Sequence, residues 1–184
     1  QTWPQATSVL VLAGPGNNGG DGYVLARLAL QDGHAVQVLA LADAGPGTSL
    51  ARRACADYLA AGGVLLAYAG QLPRADVVVD ALFGLGFTRG PQAGLAALID
   101  QLNASGLPVL AIDVPTGVIG GTGAVPGVAV QAACTVAMLR AQPGLYTGAG
   151  VNHAGKVQVA ALVHGIDAAA VVAPCARRVD VQDL

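Results

Sequence analysis

The chain has 184 residues, of which 54% are hydrophobic and 11% are charged, with a formal net charge of −2. This length suits a single domain, and high hydrophobicity with few charges excludes an intrinsically disordered chain. Nine basic residues against eleven acidic ones leave no basic footprint for a nucleic acid, and no apolar run reaches the roughly 18 residues that a membrane span needs. We therefore expect a globular protein that binds neither nucleic acids nor membranes.

The cysteines and the first residues indicate the cellular setting. Cys55, Cys134 and Cys175 are far apart and odd in number, which favours reduced thiols in a cytoplasmic protein. The chain starts at Gln1 with neither a basic start nor an apolar stretch, so we expect no signal peptide. Since it also starts without Met and directly before an apolar run, we expect a fragment of a longer polypeptide.

Short apolar runs alternate along the chain with helical stripes. The predicted strands are 8–13, 35–41, 64–68, 76–81, 108–112, 134–139 and 155–162. The predicted helices are 21–32, 49–61 and 94–105, and the second of them is expected to bury Leu50, Ala54 and Tyr58. Strands that are apolar almost throughout and alternate with helices are typical of a mostly parallel sheet with helices on both faces. The sequence therefore predicts an α/β fold.

Three predicted strands end in segments that combine an acidic residue with several glycines. These segments are 14–22, 80–90 and 113–117, and their acidic residues are Asp21, Asp80 and Asp113. In an open parallel sheet, ligands bind in the crevice at the carboxyl ends of the strands. Glycines in such loops let backbone N–H groups come close to a ligand. The sequence therefore predicts a site where these three segments meet.

The first of these loops matches the dinucleotide-binding pattern Gly-x-Gly-x-x-Gly at Gly14, Gly16 and Gly19. That pattern also requires an acidic residue at the end of the second strand, and Asp43 is a poor candidate for it. Asp21 lies near the predicted helix start, where it would repel a diphosphate that used the same N–H groups. We therefore expect that the loop does not bind pyrophosphate in the Rossmann manner. Asp21 is equally compatible with a helix N-terminal cap.

Asn18, Asp80 and Thr116 offer only oxygen ligands, which suit a hard cation and not zinc. Asp80 has an alternative role, in which it accepts hydrogen bonds from backbone N–H groups of the glycine loop that it precedes. The histidines are interpreted as surface or core residues and not as ligands: His34, His153 and His164.

Asp113 is the candidate catalytic residue because it lies where a buried strand meets a loop that Pro115 makes rigid. A carboxylate in such a position can act as a general acid or base. The structural alternative is a carboxylate that stabilises its own Asx-type turn.

Four segments in this order resemble the NAD(P)H-hydrate epimerase family, also described as the YjeF N-terminal domain. They are GPGNNGGDG at 14–22, DALFG at 80–84, DVPTG at 113–117 and PGLYTG at 143–148, the last followed by AGKV at 154–157. The nine-residue first segment is the most specific, and the resemblance extends over roughly residues 8–165. Thr116 stands where the family commonly has Ser, and Gln142 stands where it commonly has Lys.

The resemblance implies a three-layer αβα Rossmann-like fold, a homodimer and an epimerase domain over residues 1–165. Its reaction would be epimerisation at C6 of hydrated NADH or NADPH, which interconverts the R and S forms. An ADP- or ATP-dependent dehydratase, fused or separate, would then repair the S form, and residues 166–184 would be the tail or linker towards such a domain. The helical segment that usually precedes the first strand of the family is absent from this sequence, which supports the expectation of a fragment.

The resemblance also implies roles for individual residues. The substrate would contact two segments and one strand end: Asn17, Asn18, Gly19, Gly20 and Asp21, then Gly84, Leu85, Gly86, Phe87, Thr88, Arg89 and Gly90, and finally Asp113. A potassium ion would be held by Asn18, Asp80 and Thr116, in agreement with the oxygen ligands noted above.

The mechanism that we predict gives Asp113 the roles of acid and base at the hydroxyl group on C6, although ring opening and reclosure is an alternative. Two rival functions remain at this point. One is a non-catalytic scaffold of the same fold that binds a nucleotide or a protein. The other is an NAD-dependent oxidoreductase, which takes the first loop as a Rossmann fingerprint.

Overall fold

The computed structural model describes residues 2–41 and 45–161, which form one sheet with helices on both faces. Its strands are β1 (Ser8–Ala13), β2 (Ala35–Ala40), β3 (Val64–Ala67), β4 (Val77–Ala81), β5 (Val109–Ile112), β6 (Cys134–Met138) and β7 (Lys156–Ala160). Their spatial order is β3-β2-β1-β4-β5-β6-β7, and every pair of neighbours is parallel. The sheet of the described residues is thus wholly parallel, where the sequence predicted a mostly parallel one.

Three helices complete the layers: α1 (Asn17–Gln31), α2 (Ser49–Ala60) and α3 (Ala93–Ala104). Two 3-10 turns, Pro143–Leu145 and Gly148–Asn152, connect β6 to β7. The Thr48 hydroxyl caps α2 by accepting a hydrogen bond from the Ala51 N–H group at 3.1 Å. No helix in the described ranges is long and apolar enough to cross a membrane.

Strand β1 shows why helices cover both faces of the sheet. Its side chains alternate in direction, so Val11 faces one core and Leu12 faces the other. The first core contains Tyr23 of α1 and Tyr58 of α2, and the second contains Leu98 of α3. The three-layer αβα Rossmann-like architecture is therefore confirmed.

The largest error of the sequence prediction concerns the start of α1. The helix begins at Asn17, four residues before the predicted start. The prediction missed the first turn because Gly19 and Gly20 have low helix propensity. A Cβ atom on Gly20 would lie 3.2 Å from the Ala51 Cα atom, so the close packing of α1 on α2 compensates for the poor helix propensity of glycine.

The other differences are smaller. Helix α2 buries Ala51, Cys55 and Tyr58, so the predicted face was wrong for Leu50, which is 69% exposed. The remaining element ends differ from the prediction by no more than two residues. Cys55 and Cys134 are free thiols, as expected, whereas Cys175 lies outside the described residues.

The order of the strands places the site. The chain leaves β1 towards β2 and β3, and then returns to β4 on the opposite side of β1. Loops that leave β1 and β4 in opposite directions open a crevice between them at the carboxyl edge of the sheet. The strand-end segments that follow β1, β4 and β5 therefore lie side by side.

Candidate active site

The loop after β1 is held tightly against the segment after β4. The Gly14 N–H group donates a hydrogen bond to the Ala81 carbonyl oxygen at 3.0 Å. A Cβ atom on Gly14 would overlap the backbone of Leu82, and one on Gly19 would overlap the backbone of Gly14. These two glycines of the fingerprint are therefore required by packing, whereas a Cβ atom on Gly16 would meet no atom within 4 Å.

Asp80 and Thr116 form a fully buried polar pair that ties the segment after β4 to the segment after β5. The Thr116 hydroxyl donates to Asp80 Oδ1 at 2.7 Å, and the Thr116 backbone N–H group donates to Asp80 Oδ2 at 2.8 Å. Leu82 N–H donates to Oδ1 at 3.2 Å, so the predicted alternative role of Asp80 is confirmed. Burial raises the pKa of Asp80 to about 6, against the lowering effect of these hydrogen bonds.

Asp113 occupies the left-handed region of the backbone with φ of +70°, and its N–H group donates to the Val136 carbonyl oxygen at 2.8 Å. Its Oδ2 atom accepts a hydrogen bond from the Leu85 N–H group at 3.0 Å. Its Oδ1 atom is buried and has no hydrogen-bond partner among the described residues. Leu85 belongs to another loop, so the Asx-turn alternative for this carboxylate was wrong.

The three segments meet at Gly84. A Cβ atom on Gly84 would lie 2.5 Å from Asp113 Oδ2 and 3.3 Å from Asn18 Oδ1. The Asn18 Nδ2 atom is buried and, like Asp113 Oδ1, has no partner in the described part of the chain. Buried polar groups are almost always hydrogen-bonded, so an unpaired donor and an unpaired acceptor on two side chains that approach the same glycine indicate a place for a ligand.

Asp21 lies close enough to this cluster for the charge of Asp113 to affect its pKa. Partial burial raises the pKa of Asp21, and the nearby Asp113 carboxylate raises it further. Asp21 is the fifth residue of α1, and Gly16 is the residue at the N-cap position. The alternative role of Asp21 as a helix N-terminal cap was therefore wrong, and its charge lies beyond the first turn of the helix. That the loop does not bind pyrophosphate in the Rossmann manner stays a prediction.

Asn17 is exposed, and its Oδ1 atom accepts a hydrogen bond from the Thr48 hydroxyl at 2.7 Å. This contact connects the start of α1 to the cap of α2. No sequence pattern indicated it, because Thr48 is 31 residues away from Asn17.

A groove of about 760 Å³ lies next to the polar cluster, above the ends of β2, β3 and β4. Five of the predicted substrate residues line it: Gly86, Phe87, Thr88, Arg89 and Gly90. Leu41, Tyr68 and Leu95 also line it, and no motif in the sequence indicated them. The predicted substrate residues therefore fall into two groups, one around Gly84 and one along the groove.

The remaining polar candidates lie elsewhere or are satisfied by the backbone. The imidazole Nδ1 atoms of His34 and His153 lie 3.3 and 3.1 Å from the carbonyl oxygens of Ala29 and Val130. Both contacts agree with the structural role that was predicted. Asp43 and His164 lie outside the described residues. Within 2–41 and 45–161, no three His, Cys, Asp or Glu side chains are grouped so that they could hold a metal ion.

The chain is similar in sequence to two kinds of curated protein. It is 39% identical over 166 residues to the bifunctional NAD(P)H-hydrate repair enzyme Nnr of Escherichia coli. The aligned region covers 90% of this chain and 32% of that protein. It is 39% identical over 160 residues to the NAD(P)H-hydrate epimerase of Limosilactobacillus fermentum, covering 86% of this chain and 76% of that one. The chain thus spans about a third of the bifunctional relative and about three quarters of the epimerase.

The fold is similar to that of a solved structure from yeast. The crystal structure of yeast ynu0, YNL200c, superimposes with a TM-score of 0.68 at 22% identity, covering 83% of this chain and 65% of that one. The model of the family described as YjeF-related protein N-terminus matches residues 1–144. Since this match includes all three segments that meet at Gly84, the chain belongs to the family of YjeF-related protein N-termini.

Proposed function

We propose that this chain catalyses epimerisation at C6 of hydrated NADH and NADPH, interconverting their R and S forms. Relatives at 36–41% identity are named NAD(P)H-hydrate epimerase, and others are named bifunctional NAD(P)H-hydrate repair enzyme. The observation that carries the proposal is that two side chains which approach Gly84 each keep a buried atom without a partner among the described residues, Asp113 Oδ1 and Asn18 Nδ2. A scaffold that bound no small molecule would have no use for two such atoms on side chains that approach one glycine.

Asp113 would act as the acid and base. The hydrated ring carries a hydroxyl group on the carbon next to the ring nitrogen. When Asp113 donates a proton to that hydroxyl, water leaves and the nitrogen lone pair forms a planar iminium. Water then adds to the other face and returns a proton to the Asp113 carboxylate, which inverts the centre and restores the enzyme.

The neighbours of Asp113 would prepare it for this role. The Leu85 N–H group fixes Oδ2, so Oδ1 remains free for the substrate. The Asn18 amide would hydrogen-bond the C6 hydroxyl or the departing water. Asp21 is a second carboxylate near the site, and Asp113 contributes to its raised pKa after partial burial. Because these groups come from three separate loops, the site would be assembled only in the folded chain.

Asn18, Asp80 and Thr116 would hold a potassium ion, and the residues fit one. A carboxylate has about four lone-pair sites, and Asp80 uses three of them for hydrogen bonds, which leaves one on Oδ2. The Asn18 amide would supply its Oδ1 atom to the ion and keep its Nδ2 atom for the substrate. A bound potassium ion would offset the charge of Asp80 and connect the three loops.

The setting of this activity follows from the same proposal. We place the protein in the cytoplasm, where its free thiols would stay reduced, and expect it to act as a homodimer. An ADP- or ATP-dependent dehydratase, fused or separate, would consume the S form. The bifunctional relatives, of which this chain spans about a third, support a fused arrangement.

The direct test supplies the pure R form of hydrated NADH and follows the appearance of the S form by chromatography. Conversion well above the spontaneous rate is expected in potassium chloride. Replacing potassium by tetramethylammonium is expected to lower both the rate and the melting temperature. An unchanged R form would refute the epimerase, whereas unaffected rate and melting temperature would refute only the potassium site.

A further inference from the structure

Gln142 lies outside the three segments that meet at Gly84, and the proposed chemistry at C6 does not use it. It is half-buried, follows β6 and stands directly before the 3-10 turn Pro143–Leu145. Resting on the proposed function, we propose that the Gln142 side chain binds the carboxamide group of the hydrated nicotinamide ring. In this role, it makes the enzyme selective for substrates that carry a carboxamide at that position.

The Gln142 side chain reaches the site at Gly120, which is a buried glycine. A Cβ atom on this glycine would lie 2.8 Å from Leu85 Cδ2, 3.4 Å from Val114 Cγ2 and 3.6 Å from Gln142 Cγ. Three side chains from the segments after β4, β5 and β6 therefore surround one point in space. They can converge there because position 120 has no side chain of its own.

Leu85 and Val114 connect Gln142 to Asp113. Leu85 donates its N–H group to Asp113 Oδ2 at 3.0 Å, and Val114 follows Asp113 directly in the chain. Leu85 is 49% exposed, so this wall of the site is open to a ligand. The carboxamide is bonded to C3 of the ring, on the opposite side from C6. A group that binds it must therefore lie beyond the immediate neighbours of Asp113, and Gln142 lies there.

Backbone contacts fix the position of Gln142 before a ligand binds. The Gly144 N–H group donates to the Gly120 carbonyl oxygen at 2.7 Å, and a Cβ atom on Gly144 would overlap the carbonyl oxygens of Ile119 and Gly120. The Gln142 carbonyl oxygen accepts a hydrogen bond from the Leu145 N–H group at 3.0 Å. A segment that is already held in this way loses less conformational entropy when it binds a ligand.

The side-chain amide of Gln142 is available to a ligand. Within 2–41 and 45–161, the structure shows no hydrogen bond to its Oε1 or Nε2 atom. A primary amide both donates and accepts, so it can pair with another primary amide through two hydrogen bonds. Lysine, which the family commonly has at this position, can only donate. Gln142 can therefore distinguish a carboxamide from an acyl group that lacks the NH₂ group.

Gln142→Met removes the amide while the packing around Gly120 is retained. Methionine has the same unbranched stem and fills nearly the same space, but its thioether donates no hydrogen bond and accepts only weakly. Gln158→Met, at an exposed residue of β7, is the matched control. Both variants are expected to have the melting temperature of the unmodified chain.

The measurement compares hydrated NADH with the hydrated reduced form of 3-acetylpyridine adenine dinucleotide, whose acetyl group retains the carbonyl oxygen but lacks the NH₂ group. The ratio of kcat/KM for the two substrates is determined for the 184-residue chain and for each variant. Comparing these ratios cancels the difference in intrinsic reactivity between the substrates. Gln142→Met is expected to lower the ratio at least tenfold, mainly by raising KM for hydrated NADH. Gln158→Met is expected to leave it unchanged.

The outcomes separate the two proposals. If the unmodified chain converts neither substrate, the proposed function fails. If it converts hydrated NADH and Gln142→Met leaves the ratio unchanged, the epimerase stands and the role of Gln142 is overturned. An unchanged ratio together with a lower kcat for both substrates would assign Gln142 to the packing around Leu85 instead of to substrate binding.

Discussion

Two aspartates at opposite ends of β4 show how differently the two edges of the sheet use the same side chain. Asp76 at the amino edge is exposed, and its Oδ2 atom accepts four hydrogen bonds of 2.9–3.0 Å from the N–H and hydroxyl groups of Thr7 and Ser8. These donors lower the pKa of Asp76 to about 2, and the Thr7 N–H group has the largest effect. At the carboxyl edge, burial raises the pKa of Asp80 to about 6.

The two edges differ in whether their buried or charged polar groups find hydrogen-bond partners within the described chain. At the amino edge, Asp76 connects β1 to β4 and its hydrogen-bonded oxygen has no capacity to spare. At the carboxyl edge, Asn18 Nδ2 and Asp113 Oδ1 are buried without partners among the described residues. Such unpaired groups are typical of places that a ligand, an ion or an ordered water completes, or that carry a catalytic role. The amino edge therefore stabilises the fold, and the carboxyl edge carries the proposed reaction.

The largest expected effect comes from Asp113→Asn, which tests whether the carboxyl edge is the reactive one. Asn tolerates the left-handed backbone of this position, so the fold is expected to persist. Loss of a general acid and base is expected to lower kcat by about 10²–10⁴-fold, measured as conversion of R into S. Asp100→Asn, at an exposed residue of α3, is the control that should retain full activity. A rate near that of the unmodified chain would remove Asp113 from the mechanism.

Gly84→Ala is expected to have the next largest effect, because it disturbs the point at which the three loops meet. Its Cβ atom would press on Asp113 Oδ2 at 2.5 Å and on Asn18 Oδ1 at 3.3 Å, and both side chains would have to move. Misplacing catalytic groups by about 1 Å costs on the order of 10²-fold in rate. Steady-state kinetics should show this loss in kcat, while Gly121→Ala, whose Cβ atom meets nothing within 4 Å, should be neutral. Equal rates for the two variants would contradict the convergence of the loops.

Thr116→Val tests the stability that the buried pair contributes to the carboxyl edge. Valine has nearly the same shape but leaves Asp80 Oδ1 without its 2.7 Å donor and the Phe83 N–H group without its acceptor. An unsatisfied buried group costs about 1–3 kcal/mol, so the free energy of unfolding in urea is expected to fall by that amount. Thr116→Ser retains the hydroxyl and should be less affected. Equal stability of the Val and Ser variants would mean that the hydroxyl contributes little.

The smallest expected effect concerns acid stability at the amino edge. Because the pKa of Asp76 in the folded chain is about 2, below the ordinary value of 3.8, its ionised form contributes stability above about pH 4. That contribution is lost as the pH falls towards 2. Asp76→Asn is therefore expected to lower the melting temperature at neutral pH and to flatten its decline between about pH 4 and pH 2. If Asp57→Asn on α2 flattened the decline equally, the hydrogen bonds of Asp76 would not be the cause.

Part of the site could be predicted from the sequence because its residues follow strands. Asp80 and Asp113 come at the ends of apolar runs, and parallel strands bring their carboxyl ends to one edge. The start of α1 could not be predicted, since Gly19 and Gly20 disfavour a helix and only packing against α2 and the loop backbone reverses this preference. Asp76 was missed because its donors are nearly 70 residues away in the chain.

By itself, the sequence determined the αβα layers and the set of loops that meet at the carboxyl edge of the sheet. Both depend on local periodicity and on the position of glycines after strands, which are properties of neighbouring residues. The tertiary structure alone decided which atoms lack partners, that Asp113 adopts φ of +70°, and that a groove opens over β2 and β3. These features arise where segments from distant parts of the chain come into contact, so no local pattern encodes them.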